Sequence, residues 1–292
     1  MTTGTARLQA LAAALLFSTG GAGLKTAAFT ASQLSALRSG IAAIALLLWL
    51  RGRISLTPGV MGAAVAYAAT VTLFVASTKL TTAASAIFLQ ASAPLLIVPL
   101  GAFLLKEHLR LGDVPFLGVM AAGMWLSFSG SAATSGTAPD PFTGNLLAVA
   151  CSVSWAVTLV SLRALERDPS RQGSGLSVVV AGNTIAAVAA LPFAWPLPAA
   201  PAIDWATLLY LGIFQIAVAY WCLTVAVRRL PALEASLLLL LEPVLNPIWT
   251  WLVRGEEPGR AVIAGGAVIV GATALRAVVL SREITKPLAF PD

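Results

Sequence analysis

Glu242 lies near the centre of an apolar run, where an ionised carboxylate is expensive and is normally paired, protonated or functional. The chemistry it offers there is uptake and release of a proton coupled to transport. The alternative is a buried carboxyl hydrogen-bonded to neighbouring helices, since Ala93 occupies the corresponding position of an earlier, similar stretch. Gln90, Asn246 and Gln215 also fall inside apolar runs. Uncharged amides cost less than ions in hydrocarbon but still require partners, so these side chains belong inside a bundle, either on a bound solute or bridging helices.

Two prolines stand beside these groups. Pro94 follows Gln90 by one turn, and Pro243 precedes Asn246 by three residues. A proline this deep in a helix removes one backbone donor, which leaves the carbonyls of Gln90 and Leu239 to be satisfied elsewhere. Free carbonyls at that depth would receive an ammonium group; the simpler reading is a bend whose carbonyl is met by neighbours or water. Aromatic residues supply an apolar wall. Trp155 lies mid-run, away from the interfacial belt that tryptophan prefers, and Phe17 corresponds to it in the first part of the chain. Tyr67, Thr70 and Phe74 form one helical stripe, and Tyr210, Phe214 and Trp221 another. Each stripe either lines a cavity or packs against helices and lipid. Gln215 is turned by ~100° from Phe214, so an inward Gln215 prevents Tyr210 and Phe214 from both being central.

The elements that must hold these residues are membrane helices. Of 292 residues, 58% are hydrophobic and 10% charged, the mean hydropathy is +0.89, and the apolar runs are long enough for a ~30 Å hydrocarbon layer. Ten spans are expected, at about 8–24, 33–50, 59–78, 83–105, 114–130, 145–163, 176–195, 205–227, 232–253 and 261–279. Arg7 and the run after it also resemble a signal peptide, but its removal would leave nine spans, so an uncleaved first helix is expected. Of the 18 Lys and Arg, only Lys25, Arg38, Lys79, Arg254 and Arg260 fall on the side away from the termini. The positive-inside rule therefore puts both termini in the cytoplasm, in the inner or plasma membrane. Arg38 and Lys79 lie near outer span ends, where they either snorkel or attract a solute carboxylate.

The chain repeats itself. TAASAIFLQASAPLLIVPLGAFLLKE (82–107) and PALEASLLLLLEPVLNPIWTWLVRGE (231–256) share a central proline, a second proline about a turn later (Pro99, Pro247) and a closing glutamate (Glu107, Glu256). Pro94 and Pro243 are 149 positions apart, as are Glu107 and Glu256. Gly118 and Gly123 likewise correspond to Gly266 and Gly271. The expected organisation is a five-helix half (1–130), a polar linker (131–142), a second five-helix half (143–280) and a cytoplasmic tail (281–292). Five is odd, so the second half enters the membrane inverted, an arrangement that places a site near the midplane where the halves meet. The fold class is thus all-α integral membrane, ten helices in a five-plus-five inverted repeat around a central cavity.

Other chemistries lack their residues. The sequence has no H-E-x-x-H, no G-x-S-x-G and no His or Cys cluster with ligand spacing, so no enzyme, cofactor or metal site is expected. GGAGLKT (20–26) departs from a phosphate loop because Leu24 stands where glycine must precede the lysine. The net charge of +6 comes from Lys and Arg scattered between apolar runs, not from a stripe interleaved with aromatics, which excludes nucleic acid. Cys151 and Cys222 read as small packing residues, and Trp49, Trp195, Trp205 and Trp251 as interface anchors. The sequence does not specify an oligomeric state, and a monomer is compatible with it.

The doubled endings PLLIVPLGAFLLKE and EPVLNPIWTWLVRGE, the opening LFSTGGAGLK and ten short spans resemble the drug/metabolite transporter superfamily, in its EamA-type branch. Length and first span further resemble the aromatic amino acid exporter subgroup. The resemblance implies ten helices around a central cavity and export of amino acids, related metabolites or organic cations without nucleotide hydrolysis. The reading is an alternating-access exporter or facilitator of small amphipathic solutes, foremost large neutral amino acids. Its site is expected at Trp155, Phe74, Phe17, Thr70, Tyr67, Gln90, Pro94, Gln215, Pro243 and Asn246, with Glu242 for proton coupling; its partners are the solute and the lipid bilayer. The alternatives are an efflux protein for drugs or organic cations, and a membrane scaffold, which would not need broken helices with polar residues at mid-membrane.

Overall fold

A computed structural model describes residues 3–105, 113–130, 136–167, 174–227 and 238–284. Glu107, His108, the linker up to residue 135, the opening of the second repeat copy and the tail from residue 285 lie outside the described residues. Among the described residues, six helical stretches are long and apolar enough to cross a membrane: Ala31–Trp49, Pro58–Leu80, Ala83–Phe103, Pro141–Leu162, Gly175–Phe193 and Ala202–Ala226.

In chain order the helices are α1 (Thr3–Ser18), α2 (Gly20–Thr26), α3 (Ala31–Trp49), α4 (Pro58–Leu80), α5 (Ala83–Gln90), α6 (Pro94–Leu105) and α7 (Asp113–Ser129). They continue as α8 (Pro141–Arg167), α9 (Gly175–Ala190), α10 (Ala202–Tyr210), α11 (Ala219–Val227), α12 (Leu241–Arg254) and α13 (Arg260–Ile284). A π-helical stretch, Leu211–Val218, joins α10 to α11 without a break. Local sequence sets many starts. Thr30 and Gln33 form a reciprocal capping box on α3, Thr57 precedes Pro58 at α4, and Thr82 caps α5. Gly255 ends α12 in the left-handed region, at φ 63°.

The packing joins the part of the chain before residue 131 to the part after it. α4 lies along α8 and α9, α3 along α9, α1 along α11 and α12, and α7 along α13. Small residues permit the closest approaches. A Cβ on Gly265 would fall 2.5 Å from Gly123 O and 2.5 Å from Ser127 N, backbone atoms that cannot swing aside. The glycines of GGAG do similar work in α2: Gly20 abuts the Gln215 amide, and Gly21 leaves no room for a Cβ beside Asn246 Oδ1. The run that superficially resembled a phosphate loop is a short buried helix seated against the π-helical stretch and α12.

At the membrane face opposite the start of α1, a buried ion pair closes the bundle. Lys25 Nζ lies 3.2 Å from Glu256 Oε2 and donates to the carbonyls of Thr81, at 2.6 Å, and of Thr137. Glu256 Oε1 accepts from Ala83 N, the first amide of α5, at 2.6 Å. Glu256 therefore does more than end a helix: it holds α5, the α12–α13 turn and α2 together. Lys79 donates to Ala27 O at 2.8 Å beside it, which fixes a residue otherwise expected to snorkel.

Two outcomes follow for stability in detergent. Lys25→Met leaves a buried carboxylate with one backbone donor and lowers unfolding stability by about 3 kcal/mol, with part of the loss recovered in Lys25→Met/Glu256→Gln. Gly265→Ala costs on the order of 1–3 kcal/mol through overpacking at the α7–α13 contact, read as a lowered midpoint in thermal or chemical unfolding.

Candidate functional site

The fourth and ninth expected spans are each interrupted where the prolines stand. α5 stops at Gln90, residues 91–93 form a turn, and α6 restarts at Pro94, whose fixed φ and missing N–H suit the first helical position. In the second stretch Leu240 is a turn and α12 starts at Leu241, which puts Glu242 and Pro243 in its first turn. A carboxylate in a first helical turn faces the positive end of the helix dipole, so the break itself offers Glu242 a structural reason to be there. The carbonyl of Gln90 is not left free as the sequence suggested. Ala93 N donates to it at 3.1 Å, because the chain tightens into a three-residue closure ahead of the proline.

Five of the expected site residues meet at one cavity of about 130 Å³: Phe17, Gln90, Trp155, Glu242 and Pro243. A residue that the sequence reading passed over, Tyr220, completes its wall. Tyr220 meets Phe17 edge to face at 4.9 Å and Tyr67 at 5.4 Å. Tyr67 stands behind this wall, fully buried, with its hydroxyl accepting from Asn183 Nδ2 at 3.1 Å. The cavity thus has an aromatic side and, opposite the amide of Gln90, a carboxyl at a helix start.

The other expected residues support this cavity or lie away from it. Thr70 Oγ1 is hydrogen-bonded to Ser154 Oγ at 3.1 Å, and Cys151 Sγ donates to Thr70 O, so Thr70 ties α4 to α8 next to Trp155. Ser92, in the turn between α5 and α6, reaches Ser152 Oγ at 3.3 Å and fixes the break to the same helix. Phe74 is packed between the apolar clusters around Leu24 and around Ile87 and Phe88, toward the closed face, not beside the cavity. Pro94 starts its half-helix and does not line the cavity.

Gln215 is buried at the centre of the π-helical stretch, its Oε1 without a partner among the described residues. Asn246 is fully buried, with both amide atoms unpaired there. Phe214 faces outward and stacks on Tyr210 at 5.8 Å, which is compatible with an inward Gln215. Trp221 packs instead on Trp49, at 5.0 Å. The α1–α2 junction is held to α12 by Trp249 Nε1 donating to Ser18 Oγ at 2.9 Å.

A second cavity, about 700 Å³, lies between α5, α12 and α13. Its walls are mostly apolar, with Phe88, Pro247, Trp251 and Gly266 among them, and half-exposed Trp251 and Ile263 put it on the outside of the bundle. It is larger, but Glu257 is the one charged side chain among its lining residues, and no second polar side chain converges with it to orient a solute. Among the described residues no three His, Cys, Asp or Glu side chains gather as metal ligands.

Comparison with known proteins agrees with this architecture. The EamA-like transporter family matches residues 5–129 and 142–277. An aromatic amino acid exporter, YddG, of Ancylobacter novellus is 29% identical over 191 residues, a stretch covering 65% of this chain and 65% of that protein. A protein of known crystal structure, 24% identical, has the same fold with a TM-score of 0.64 over 98% of this chain and all of its own. Since the family match takes in nearly all of the sequence on both sides of the linker, the chain belongs to the EamA-like transporter family, within the drug/metabolite transporter superfamily.

Proposed function

We propose that this protein exports small amphipathic metabolites, foremost large neutral amino acids including aromatic ones, by alternating access through the cavity at Phe17, Gln90, Trp155, Tyr220 and Glu242. The observation that carries the reading is that mixed aromatic and polar wall, assembled where two helices break. An aromatic exporter among the relatives supports the substrate class. Organic-cation efflux is the second reading, favoured by Glu242, an acidic group on the wall.

A ten-helix inverted repeat accounts for the packing. Exchanging each span with its counterpart five spans later turns the α1–α11 contact into that of α8 with α4, and the α1–α12 contact into that of α8 with α5 and α6. The two family matches also divide at the linker. Halves 1–130 and 143–280 then rock about the site, with both termini in the cytoplasm and the Lys25–Glu256 pair closing the outer face. In this arrangement the cavity is loaded from the cytoplasmic side. At about 130 Å³ it is smaller than the ~300 Å³ at which pockets for larger ligands begin, so loading widens it at the aromatic wall.

Proton coupling is assigned to Glu242. Its protonation on one side and release on the other would link solute movement to a pH gradient.

Two experiments on purified protein in liposomes test the reading. Vesicles preloaded with phenylalanine, tryptophan or threonine release phenylalanine or tryptophan faster than protein-free vesicles. Trp155→Ala weakens apparent affinity for the aromatic solutes about tenfold or more, a loss of stacking and burial; unchanged affinity and preference would remove Trp155 from the site. Glu242→Gln retains exchange but abolishes acceleration by a pH gradient, whereas wild-type transport indifferent to the gradient would mean facilitated diffusion.

A further inference from the structure

Arg38 lies seven residues into α3, ~10 Å along the helix from its outer end at 1.5 Å per residue. The sequence allowed it to snorkel outward. Instead it is 2% exposed, one of the largest fully buried side chains among the described residues. Its Nε has no acceptor there, and no described carboxylate pairs with it; the buried ion pair present is that of Lys25 with Glu256. A guanidinium cannot shed its proton to relieve burial, so an uncompensated one at this depth is costly and calls for an anion nearby.

Tyr67 and Tyr220, whose rings meet at 5.4 Å, both lie within electrostatic range of Arg38. Tyr220 lines the cavity and is itself in electrostatic range of Glu242. A cation therefore stands near the two tyrosines that form and back the cavity wall, and a carboxyl lies on the wall itself. At this residue α3 lies close on the π-helical stretch, since Arg38 O would lie 3.0 Å from a Cβ on Gly212.

Building on the export reading, we propose that Arg38 is the positioning residue that selects a substrate carboxylate, acting through the Tyr67–Tyr220 wall. A zwitterion enters with its carboxylate toward Tyr220 and its ammonium toward Glu242 and Gln90. An amine without a carboxylate meets the positive field of Arg38 with nothing to offset it, which disfavours organic cations at this site.

Proteoliposomes carrying the full chain decide this with phenylalanine and phenylalanine amide, solutes that differ in the carboxylate. Wild type prefers phenylalanine by about tenfold or more, the scale of a unit charge acting over ~10 Å at an effective dielectric of about 20. Arg38→Gln brings the ratio toward one, and Arg38→Lys keeps most of it, a pattern that a purely structural role would not produce. Should Arg38→Gln fail to fold, Arg38→Lys shows whether the ratio depends on residue 38, and competition on wild type tests the carboxylate preference itself. Phenylpropionate, which keeps the carboxylate, then inhibits phenylalanine uptake more than the amide does, and the reverse order overturns the assignment. Equal wild-type transport of phenylalanine and its amide, or an unchanged ratio in Arg38→Gln, overturns the role of Arg38 and leaves the export reading standing. Transport of tetraphenylphosphonium but of neither phenylalanine compound overturns both.

Discussion

Two apolar helical stretches are broken beside prolines, and most of what is distinctive in this protein follows from how the backbone there is satisfied. Hydrocarbon supplies no hydrogen-bond partners, so an interruption survives only where protein or enclosed polar groups take up the freed amides and carbonyls. At residues 91–93 a tight closure uses the Gln90 carbonyl, and Ser92 anchors the turn to α8. At Leu240 the following helix starts with Glu242 in its first turn. Both solutions leave helix ends and polar side chains at one place, and the aromatic residues Phe17, Trp155 and Tyr220 close around it. The cavity is a consequence of the breaks.

The same constraint bears on how the helices around the breaks are joined. Where the breaks must be held in register, the chain uses small residues and fixed charges. Gly20 and Gly21 let α2 sit against Gln215 and Asn246, Gly265 lets α13 sit on the α7 backbone, and Lys25 with Glu256 joins α2, α5 and the α12–α13 turn. Each of these links connects residues on opposite sides of the linker. Movement of one part against the other would have to break or preserve them as a set.

Much of this was legible in the residues. Polar and aromatic side chains in the middle of apolar runs are rare enough to be informative, and Phe17, Gln90, Trp155, Glu242 and Pro243 do meet at one cavity. What sequence reasoning missed has specific physical causes. Tyr220 was hidden by the π-helical stretch, whose extra residue per turn changes the face on which everything after Leu211 falls. Trp221 leaves the stripe of Tyr210 and Phe214 for that reason and meets Trp49. The Gln90 carbonyl was counted as free because helical spacing ignores a three-residue closure. Phe74 shares a stripe with Tyr67 and Thr70, but lies a turn nearer the closed face, where Leu24 and Ile87 enclose it. Lys25 and Glu256 are remote in sequence, and nothing local pairs them.

The central claim is that solute occupies the cavity between the broken helices and not the larger apolar hollow on the flank. Protection of an introduced cysteine tests it most directly, in a background with Cys151 and Cys222 replaced by alanine. Ala91→Cys lies on the wall of the first cavity and Gly271→Cys on that of the second. The account predicts that phenylalanine slows alkylation at position 91 in a concentration-dependent manner and leaves position 271 unaffected. Protection at 271 with none at 91 would contradict it.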